Sequence, residues 1–348
     1  MKKLIDKLYK ENYLTGNELI TLINNMNEDL KAYLKRKAQE TSIKVYGNRV
    51  FMRGLIEFTN YCKRNCRYCG IRAGNKKADR YRLSLEDILD CCKVGNKLGY
   101  RTFVLQGGED EYYDDERITQ IVKSIKNNYP ESAVTLSIGE KSYESYEKYY
   151  KAGADRYLLR HETANKDLYE KLHPKASFEN RIQCLYNLKE IGYQVGAGFM
   201  VGLPGQTNED FVKDLMFLKK LSPHMVGIGP FIPHKDTPLC MEKRGTVETT
   251  TVMLSIIRLL LPKVLLPATT ALGTISPFGR EEGLIAGANV VMPNLSPTNV
   301  RKKYSLYNGK ICTGDEAAEC RNCIEERITR AGFSLDMSRG DNVDWTRK

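Results

Sequence analysis

Three cysteines in one short loop are the residues best suited to carry chemistry. Cys62, Cys66 and Cys69 are spaced C-x₃-C-x₂-C and follow directly after an apolar run. A closed structural zinc site needs four ligands, and a common ferredoxin run supplies four cysteines. Three thiolates on a tight loop instead suit a 4Fe–4S cluster with one iron left open to bind a substrate. Zinc with a distant fourth ligand is the alternative.

Other polar residues follow predicted strands. Tyr68 precedes the third cysteine and could lie against a flat ring. Gly107 and Gly108 would let a ligand approach the backbone, with Glu109 placed to hold a cationic amine, although glycine is also common in ordinary strand-to-helix turns. The run Arg160-His161-Glu162, together with Arg181, supplies polar groups for a zwitterionic or ribose-bearing ligand.

A second cysteine group lies near the end of the chain. Cys312, Cys320 and Cys323 are spaced C-x₇-C-x₂-C, which predicts an auxiliary metal site. Zinc, a 2Fe–2S cluster and three unligated thiols all remain open at this point.

The elements that position these residues alternate regularly. Apolar runs with strand character occur at 51–58, 102–106, 133–138, 156–159, 194–201, 225–228, 264–267 and 289–292, and helical patterns fall between most of them. Near-continuous apolar strands are typical of a parallel sheet buried on both faces. We expect a complete (β/α)₈ TIM barrel, with an open doubly wound sheet as the alternative. In a barrel the active site lies at the carboxyl ends of the strands, where these polar runs fall.

This pattern predicts three parts of the chain. Residues 1–50 form an N-terminal helical extension, residues 51–293 form the barrel, and residues 294–348 form a loop-rich C-terminal segment with the second cysteine group.

Composition excludes several classes of function. The net charge is +11, but basic residues are interleaved with acidic ones along the chain, which argues against nucleic-acid binding. The most apolar stretch, 252–268, is interrupted by Arg258, Pro262 and Lys263, so it predicts no membrane span. Six of ten cysteines fall in two tight groups, which favours metal over disulfides and predicts a reduced, cytoplasmic protein, from an anaerobe if iron–sulfur chemistry is exposed.

Several longer stretches carry a family resemblance. They are 104–106 (VLQ), 157–164 (YLLRHETA), 201–207 (VGLPGQT), 226–234 (VGIGPFIPH), 267–271 (PATTA), 287–294 (GANVVMPN) and 309–312 (GKIC). With the cysteine loop, they resemble the radical S-adenosylmethionine (SAM) superfamily, its biotin-synthase-like branch and, within that branch, a maturase of FeFe-hydrogenase. The resemblance covers nearly the whole chain before about residue 334.

The resemblance implies roles for individual residues. Cys62, Cys66 and Cys69 would hold a 4Fe–4S cluster whose open iron is chelated by SAM. The residues implied around SAM are Tyr68 near adenine, Glu109 near the methionine amine, and Gly108, Ser137, Glu162 and Arg181 around the rest. Those implied around a deeper substrate are Thr135, Arg160, Met225, Thr269, Thr270, Met292 and Tyr307. Cys312, Cys320 and Cys323 would hold a second cluster, 2Fe–2S or 4Fe–4S, that varies in the family.

The resemblance also implies an activity. The enzyme would cleave SAM reductively to a 5′-deoxyadenosyl radical, which acts on a cysteine-bound iron carbonyl/cyanide precursor of the hydrogenase H-cluster. Its implied partners are a scaffold GTPase, a tyrosine-cleaving radical enzyme and an electron donor such as ferredoxin or flavodoxin. The alternative is a methylornithine- or biotin-synthase-like radical enzyme acting on a small carboxylate. A non-catalytic electron carrier would leave the polar strand ends unexplained.

Overall fold

The computed structural model describes residues 1–314 and 316–347. The strands are β1 (Arg49–Met52), β2 (Gly54–Thr59), β3 (Thr102–Gly107), β4 (Ala133–Ser137), β5 (Arg156–Leu158), β6 (Gln194–Ala197), β7 (Met200–Val201), β8 (Met225–Val226), β9 (Gly229–Pro230), β10 (Val290–Val291) and β11 (Ser334–Asp336). The helices are α1 (Lys2–Glu11), α2 (Gly16–Asn24), α3 (Glu28–Tyr46), α4 (Leu85–Lys97), α5 (Asp115–Asn128), α6 (Tyr143–Ala152), α7 (Lys166–Leu172), α8 (Phe178–Ile191), α9 (Asn208–Leu221), α10 (Val247–Leu260), α11 (Thr270–Ile275), α12 (Gly279–Ile285), α13 (Thr298–Arg301) and α14 (Ala317–Arg330).

Six parallel strands form the central sheet in the order β2-β3-β4-β5-β6-β8. Parallel bridges continue the pairing from Met225 to Leu265, from Pro267 to Val290, and from Asn294 back to Leu55. The backbone hydrogen bonds therefore run around a ring of eight segments. The predicted α/β fold with parallel strands is confirmed.

Two predicted strands are divided in the structure, and a third is shortened. The run 51–58 separates at Arg53 into β1 and β2, and β1 pairs with β10 and β11 instead of β3. The run 194–201 divides into β6 and β7. Only the first two residues of the run 225–228 form a strand, β8, and β9 begins just after the run. Gly198 lies at the break between β6 and β7 and has a φ of +149°. A Cβ at this position would lie 2.0 Å from the carbonyl oxygen of Gly227. Only glycine permits this close approach between neighbouring strands.

Capping residues set where several of the outer helices begin and end. Ser84 and Thr207 each form a capping box at the start of α4 and α9, and Gly153 and Gly192 end α6 and α8 in the left-handed conformation. The helical periodicity of the sequence predicts helices over 85–98, 115–127, 143–151, 178–191, 210–221 and 247–261. The observed helices α4, α5, α6, α8, α9 and α10 each begin and end within two residues of these limits. None of the helices in the described part of the chain has both the length and the apolarity to cross a membrane.

The N-terminal helices pack on the outside of the barrel. The run Thr15-Gly16-Asn17-Glu18 predicts a capping box, and Thr15 and Glu18 form it at the start of α2. Helix α3 packs against α10, and α2 packs against α9. The apolar faces of these helices, including Leu22 and Leu34, join the main core.

The C-terminal segment contains more regular structure than expected, since α14 is 14 residues long and β11 pairs with β1. After β11 the chain crosses the amino end of the barrel. There the Asp341 carboxylate accepts a hydrogen bond from Arg156 at 2.5 Å, and the Trp345 indole donates to the carbonyl of Gly192 at 2.9 Å. The charged tail therefore closes this end of the barrel.

Candidate active site

The polar residues predicted from the sequence lie at the carboxyl ends of the parallel strands. The cysteine loop follows β2, Glu109 follows β3, Ser137 ends β4, and Arg160 and Glu162 follow β5. In a parallel barrel these ends meet on one face, so the residues lie on the same face of the barrel.

The loop that carries the cysteines is held in shape by Arg80. Its guanidinium donates to the carbonyl oxygens of Ile71 and Arg72 at 2.8 Å each, and of Asn75 at 3.2 Å. It also donates to the carbonyl of Asn60, which precedes the cysteines. Because one side chain satisfies carbonyls before and after the cysteines, the loop is ordered without regular secondary structure.

The three thiols lie near one another and are half-buried. Burial raises the pKa of each thiol, to about 12 for Cys66, and neighbouring cysteines raise it further for Cys66 and Cys69. A bound metal would stabilise the thiolates against this penalty. The backbone N–H of Glu109 donates to Cys62 Sγ at 3.4 Å, a contact of the kind that tunes iron–sulfur clusters.

Gly108 brings the end of β3 against the cysteine loop. A Cβ at this position would lie 2.1 Å from the carbonyl oxygen of Tyr61 and 2.6 Å from Cys62 Cβ. Within residues 1–314 and 316–347, no three Cys, His, Asp or Glu side chains form a site for a single metal ion. In a cubane cluster each cysteine binds a different iron, so its thiols do not converge on one ion. The donor set fits a cluster held by three thiolates.

A buried network of ion pairs lies beside the cysteines. Glu109 is 6% exposed, accepts from Arg64 Nε at 2.6 Å and accepts from the backbone N–H of Glu140 at 3.1 Å. Glu140 in turn pairs with Arg64 at 2.7 Å and with Arg181 at 2.7 Å. Burial opposes the charge on Arg64, but the two carboxylates outweigh it and raise the pKa of Arg64. The network couples the cysteine loop to the ends of β3 and β4.

Tyr68 is held in place by a buried histidine. The Tyr68 hydroxyl lies 2.8 Å from His173 Nε2, and His173 Nδ1 lies 2.7 Å from the carbonyl oxygen of Tyr169. Burial lowers the pKa of His173 to about 3, so the ring is neutral. Its Nδ1–H donates to the carbonyl, since a carbonyl only accepts, and Nε2 therefore accepts from Tyr68.

Unpartnered polar atoms mark the barrel interior. Thr135 Oγ1, Thr269 Oγ1 and Arg160 Nε are buried without a hydrogen-bond partner. Arg160 lies 2.8 Å from Glu162 Oε2, but the two are not aligned for a hydrogen bond. Glu162 also has a left-handed backbone, with φ +66°. Orphaned buried groups and backbone strain together indicate a site shaped for a polar ligand.

Comparison with known proteins identifies the family of this site. Residues 56–218, from β2 to α9, match the radical SAM superfamily. The chain is 48% identical over 331 residues to the FeFe-hydrogenase maturase subunit HydE of Thermotoga maritima. The alignment covers 95% of this chain and 94% of that protein. The chain belongs to the radical SAM superfamily.

Two further comparisons are with methylornithine synthases. The chain is 33% identical over 289 residues to 3-methylornithine synthase of Methanosarcina acetivorans, covering 79% of this chain and 81% of that protein. The crystal structure of the methylornithine synthase PylB superposes with a TM-score of 0.84 at 28% identity, covering 96% and 97% of the two chains. The predicted family and the prediction of an enzyme are confirmed. The superfamily uses a 4Fe–4S cluster and SAM.

The remaining predicted residues of this radical SAM enzyme lie on other strands of the barrel or on the segments that follow them. Met225 is buried in an apolar cluster that Met292 packs against. Ser137 is paired in register with Gln106 at the end of the sheet. Thr270 begins α11, and burial raises the pKa of Tyr307 to about 12 while a hydrogen bond to Thr274 opposes the rise. Their roles toward cofactor or substrate remain predictions.

The second cysteine group lies on and before α14. Cys320 and Cys323 are one helical turn apart, with Cys320 buried and Cys323 exposed. A hydrogen bond with Cys312 raises the pKa of Cys320 far above its ordinary value, and Arg280 donates to Cys312 Sγ at 3.5 Å. Cys312 and Cys320 are therefore adjacent, and the second metal site remains a prediction.

Several residues of the site were missed by sequence reasoning. Glu140 follows Gly139 directly after β4, as Glu109 follows Gly108 after β3, and that parallel was a usable signal. Arg64 lies between the cysteines but reads as an ordinary surface cation. Lys310 pairs with the buried Glu57 at 2.5 Å and so ties the segment before the second cysteine group to β2.

Proposed function

We propose that this radical SAM enzyme matures the H-cluster of FeFe-hydrogenase by acting on a cysteine-bound iron carbonyl/cyanide precursor. The observation that carries the proposal is the 48% identity to HydE over nearly the full length of both chains. The similarity to methylornithine synthase is lower and covers less of the chain.

The chain offers a place for each cofactor. Cys62, Cys66 and Cys69 would hold a 4Fe–4S cluster. The side chains and backbone that would hold SAM are those of Tyr68, Gly108, Glu109, Ser137, Glu162 and Arg181. When bound, this pair of cofactors supplies reductive carbon–sulfur cleavage, which yields methionine and a 5′-deoxyadenosyl radical.

The residues around the cofactor site have definite tasks. The Glu109 carboxylate already accepts a hydrogen bond from the Arg64 guanidinium. An amine that binds at this carboxylate must therefore share or replace the Arg64 contact. His173 fixes the Tyr68 ring through its hydroxyl. The tail across the amino end of the barrel limits water entry from that side.

The interior suits a small anionic or polar substrate. Arg160 carries a guanidinium nitrogen without a partner, and the hydroxyls of Thr135 and Thr269 are also unpaired. A cyanide- or carboxylate-bearing substrate would satisfy these donors, and Met225 and Met292 would supply apolar contact.

The proposal extends to partners and location. A scaffold GTPase and a tyrosine-cleaving radical enzyme would exchange precursor and product with this protein in an anaerobic cytoplasm, and a ferredoxin or flavodoxin would supply electrons. A second cluster, 2Fe–2S or 4Fe–4S, would bind at Cys312, Cys320 and Cys323 without being required for SAM cleavage.

The first experiment tests the cluster. Protein reconstituted anaerobically with iron and sulfide is incubated with SAM and reductant, and 5′-deoxyadenosine is quantified. Cys66→Ala should abolish cleavage, whereas Cys240→Ala, a half-buried cysteine outside both groups, should retain it. Normal cleavage by Cys66→Ala would contradict the proposed cluster site.

The second experiment tests the substrate. Coexpression with an apo-FeFe-hydrogenase and the other maturases should give active hydrogenase only with the intact enzyme. No activation, together with conversion of a free amino acid, would favour the methylornithine-synthase-like alternative.

The third experiment separates the two cysteine groups. The triple variant Cys312→Ser/Cys320→Ser/Cys323→Ser should bind less iron but keep the spectral change that SAM causes in the reduced cluster. Loss of that change would show that the second group is needed at the SAM site.

A further inference from the structure

Positive charge is concentrated around the cysteine loop. Residues 61–82 contain eight Lys or Arg residues and one acidic residue, Asp79, whereas the whole chain has 54 basic and 43 acidic residues. Lys63, Lys76 and Lys77 are exposed. Basic and acidic residues alternate along most of the chain, but around the cysteine loop basic residues predominate.

A neighbouring segment adds to this charge. Asn60 Nδ2 donates to the carbonyl of Lys303 at 2.8 Å, and the Gly70 N–H donates to the carbonyl of Leu306 at 2.9 Å. These contacts place the exposed Lys302 and the half-buried Lys303 beside the cysteine loop.

Three of the nearby lysines pair with carboxylates: Lys303 with Asp79 at 3.0 Å, Lys63 with Glu111 at 3.2 Å and Lys77 with Asp236 at 3.3 Å. These three carboxylates do not balance the five lysines at positions 63, 76, 77, 302 and 303, so the surface keeps a surplus of positive charge.

We call this surface the basic rim and define it by Lys63, Lys76, Lys77, Lys302 and Lys303. Its backbone is pre-organised. Arg80 satisfies the carbonyls of the loop, and Asn75 Nδ2 donates to the carbonyl of Gly70 at 2.7 Å immediately before Lys76. A partner that docks on an ordered surface loses less conformational entropy than one that must order a mobile loop.

We propose that the basic rim is the docking surface for an acidic one-electron carrier protein that reduces the cluster held by Cys62, Cys66 and Cys69. The inference rests on the proposed function, because it requires that cluster. In the transfer the carrier loses one electron and the cluster gains one, and no proton or covalent bond is exchanged. Lys63 directly follows Cys62, and the segment that carries Lys302 and Lys303 contacts both ends of the cysteine loop, so a carrier bound there is close to the electron acceptor.

Charge complementarity between two protein surfaces acts mainly on the rate at which they associate. Steering by an oppositely charged surface raises association rates by about 10- to 1,000-fold at low ionic strength and weakens as salt screens it. The docking therefore predicts strong dependence on salt and on the lysines of the rim.

The test compares two charge-reversal variants with equal change in net charge. Lys76→Glu/Lys77→Glu alters the rim, and Lys3→Glu/Lys10→Glu alters exposed lysines of α1 on the helical extension. The dissociation constant for an oxidised, acidic two-cluster ferredoxin is measured with the reconstituted enzyme at about 50 mM and about 300 mM salt. The rim variant should bind about tenfold more weakly at low salt, with a smaller difference at high salt. Equal binding by the rim variant and the parent, or an equal loss in the α1 variant, would overturn the proposal.

A second arm separates docking from chemistry. SAM cleavage is driven either by reduced ferredoxin or by saturating reduced methyl viologen, a small organic reductant. The rim variant should need more ferredoxin to reach half-maximal rate while its rate with methyl viologen stays at the parent value. If methyl viologen drives no cleavage in the parent, the radical chemistry itself is wrong and the docking inference falls with it.

The same surface could attract another polyanion. Poly(U) RNA is therefore measured under the same conditions. Binding of poly(U) that is tighter than that of ferredoxin and lost in the rim variant would assign the surface to nucleic acid and contradict the carrier. Weaker binding of poly(U) supports the carrier.

Discussion

At the scale of single residues, the site is defined by polar atoms that lack partners. Folded proteins pair nearly all of their buried polar groups. Thr135, Arg160 and Thr269 each leave a buried nitrogen or oxygen unpaired; Arg160 and Thr269 follow barrel strands, and Thr135 lies in the middle of β4. The protein therefore carries an energetic cost that a bound ligand would remove.

Replacing these hydroxyls tests that cost. Thr135→Val and Thr269→Val should leave the free energy of unfolding of the ligand-free protein unchanged or raise it by up to about 1 kcal/mol, because an unpaired polar atom is removed. Thr59→Val is the control, since Thr59 Oγ1 donates to Asp110 at 2.7 Å, and its loss should cost about 1 kcal/mol. Urea titration measures all three. Equal destabilisation at the three positions would mean that the hydroxyls are already paired.

The second residue-scale prediction concerns Tyr68. His173→Phe removes the acceptor of the Tyr68 hydroxyl and should weaken SAM binding about three- to tenfold, the value of one hydrogen bond. His173→Gln keeps an acceptor and should restore most of the affinity. SAM binding is followed by the change it causes in the spin-resonance spectrum of the reduced cluster. The double variant Tyr68→Phe/His173→Phe should be no weaker than His173→Phe, and additive losses would show that the two residues act separately.

At the scale of elements, the cysteine loop takes its position from the strand ends around it. The end of β3 contacts it through Gly108, and Glu140 after β4 reaches it through Arg64. These contacts join segments that are far apart in sequence. The barrel therefore sets the position of the loop, while Arg80 within the loop sets its shape.

Gly108 provides a test of that dependence. In Gly108→Ala the new Cβ would lie 2.1 Å from a backbone carbonyl, so the cysteine loop must move away from β3. We expect clearly less iron per chain after reconstitution, measured by iron and protein assay. Gly16→Ala in α2 is the control, because its added Cβ would meet only Val212 Cγ1 at an ordinary contact distance of 3.6 Å, far from both cysteine groups in the sequence. Parental iron content in Gly108→Ala would show that the contact does not position the loop.

At the scale of the molecule, the two ends of the barrel have different tasks. The carboxyl end carries the cysteines and the buried ion pairs. The amino end is closed by the tail, where Asp341 is the counter-ion of Arg156, a guanidinium that is 2% exposed. The pKa of Asp341 is held well below its ordinary range, since the nearby Arg156 and Arg339 outweigh the effect of burial.

Asp341→Asn should therefore destabilise the whole molecule. We expect a loss of about 2 kcal/mol, less than for a fully buried pair, because the Asp341 side chain is 30% exposed. Asp344→Asn, which breaks an exposed pair with Lys263, should cost no more than about 1 kcal/mol.

The pH dependence of this loss has a definite sign. A carboxyl whose pKa is lowered on folding stabilises the protein above its unfolded value of about 3.9 and loses that contribution as pH falls below it. The difference in free energy of unfolding between the parent and Asp341→Asn, measured by urea titration, should become smaller as the pH falls below about 4. A difference that persists unchanged would show that the charge of Asp341 is not the cause.

Much of the fold is predictable because it depends on local patterns. Continuous apolar runs predict buried parallel strands, and the caps at Ser84 and Thr207 predict where α4 and α9 begin. The divided strands are harder to predict, since a break such as that at Gly198 depends on a neighbouring strand. Helix α14 was missed because its pattern lies among cysteines and charges.

The sequence by itself determined the three cysteines, their spacing and the family resemblance, since these are properties of adjacent residues. Only the tertiary structure decided which distant groups complete the site. Arg64, Glu140 and His173 became part of it because the barrel brings separate strand ends together, and the charged tail became the closure of the amino end. Buried charges and hydroxyls depend on their partners for stability, and those partners come from segments far apart in the chain.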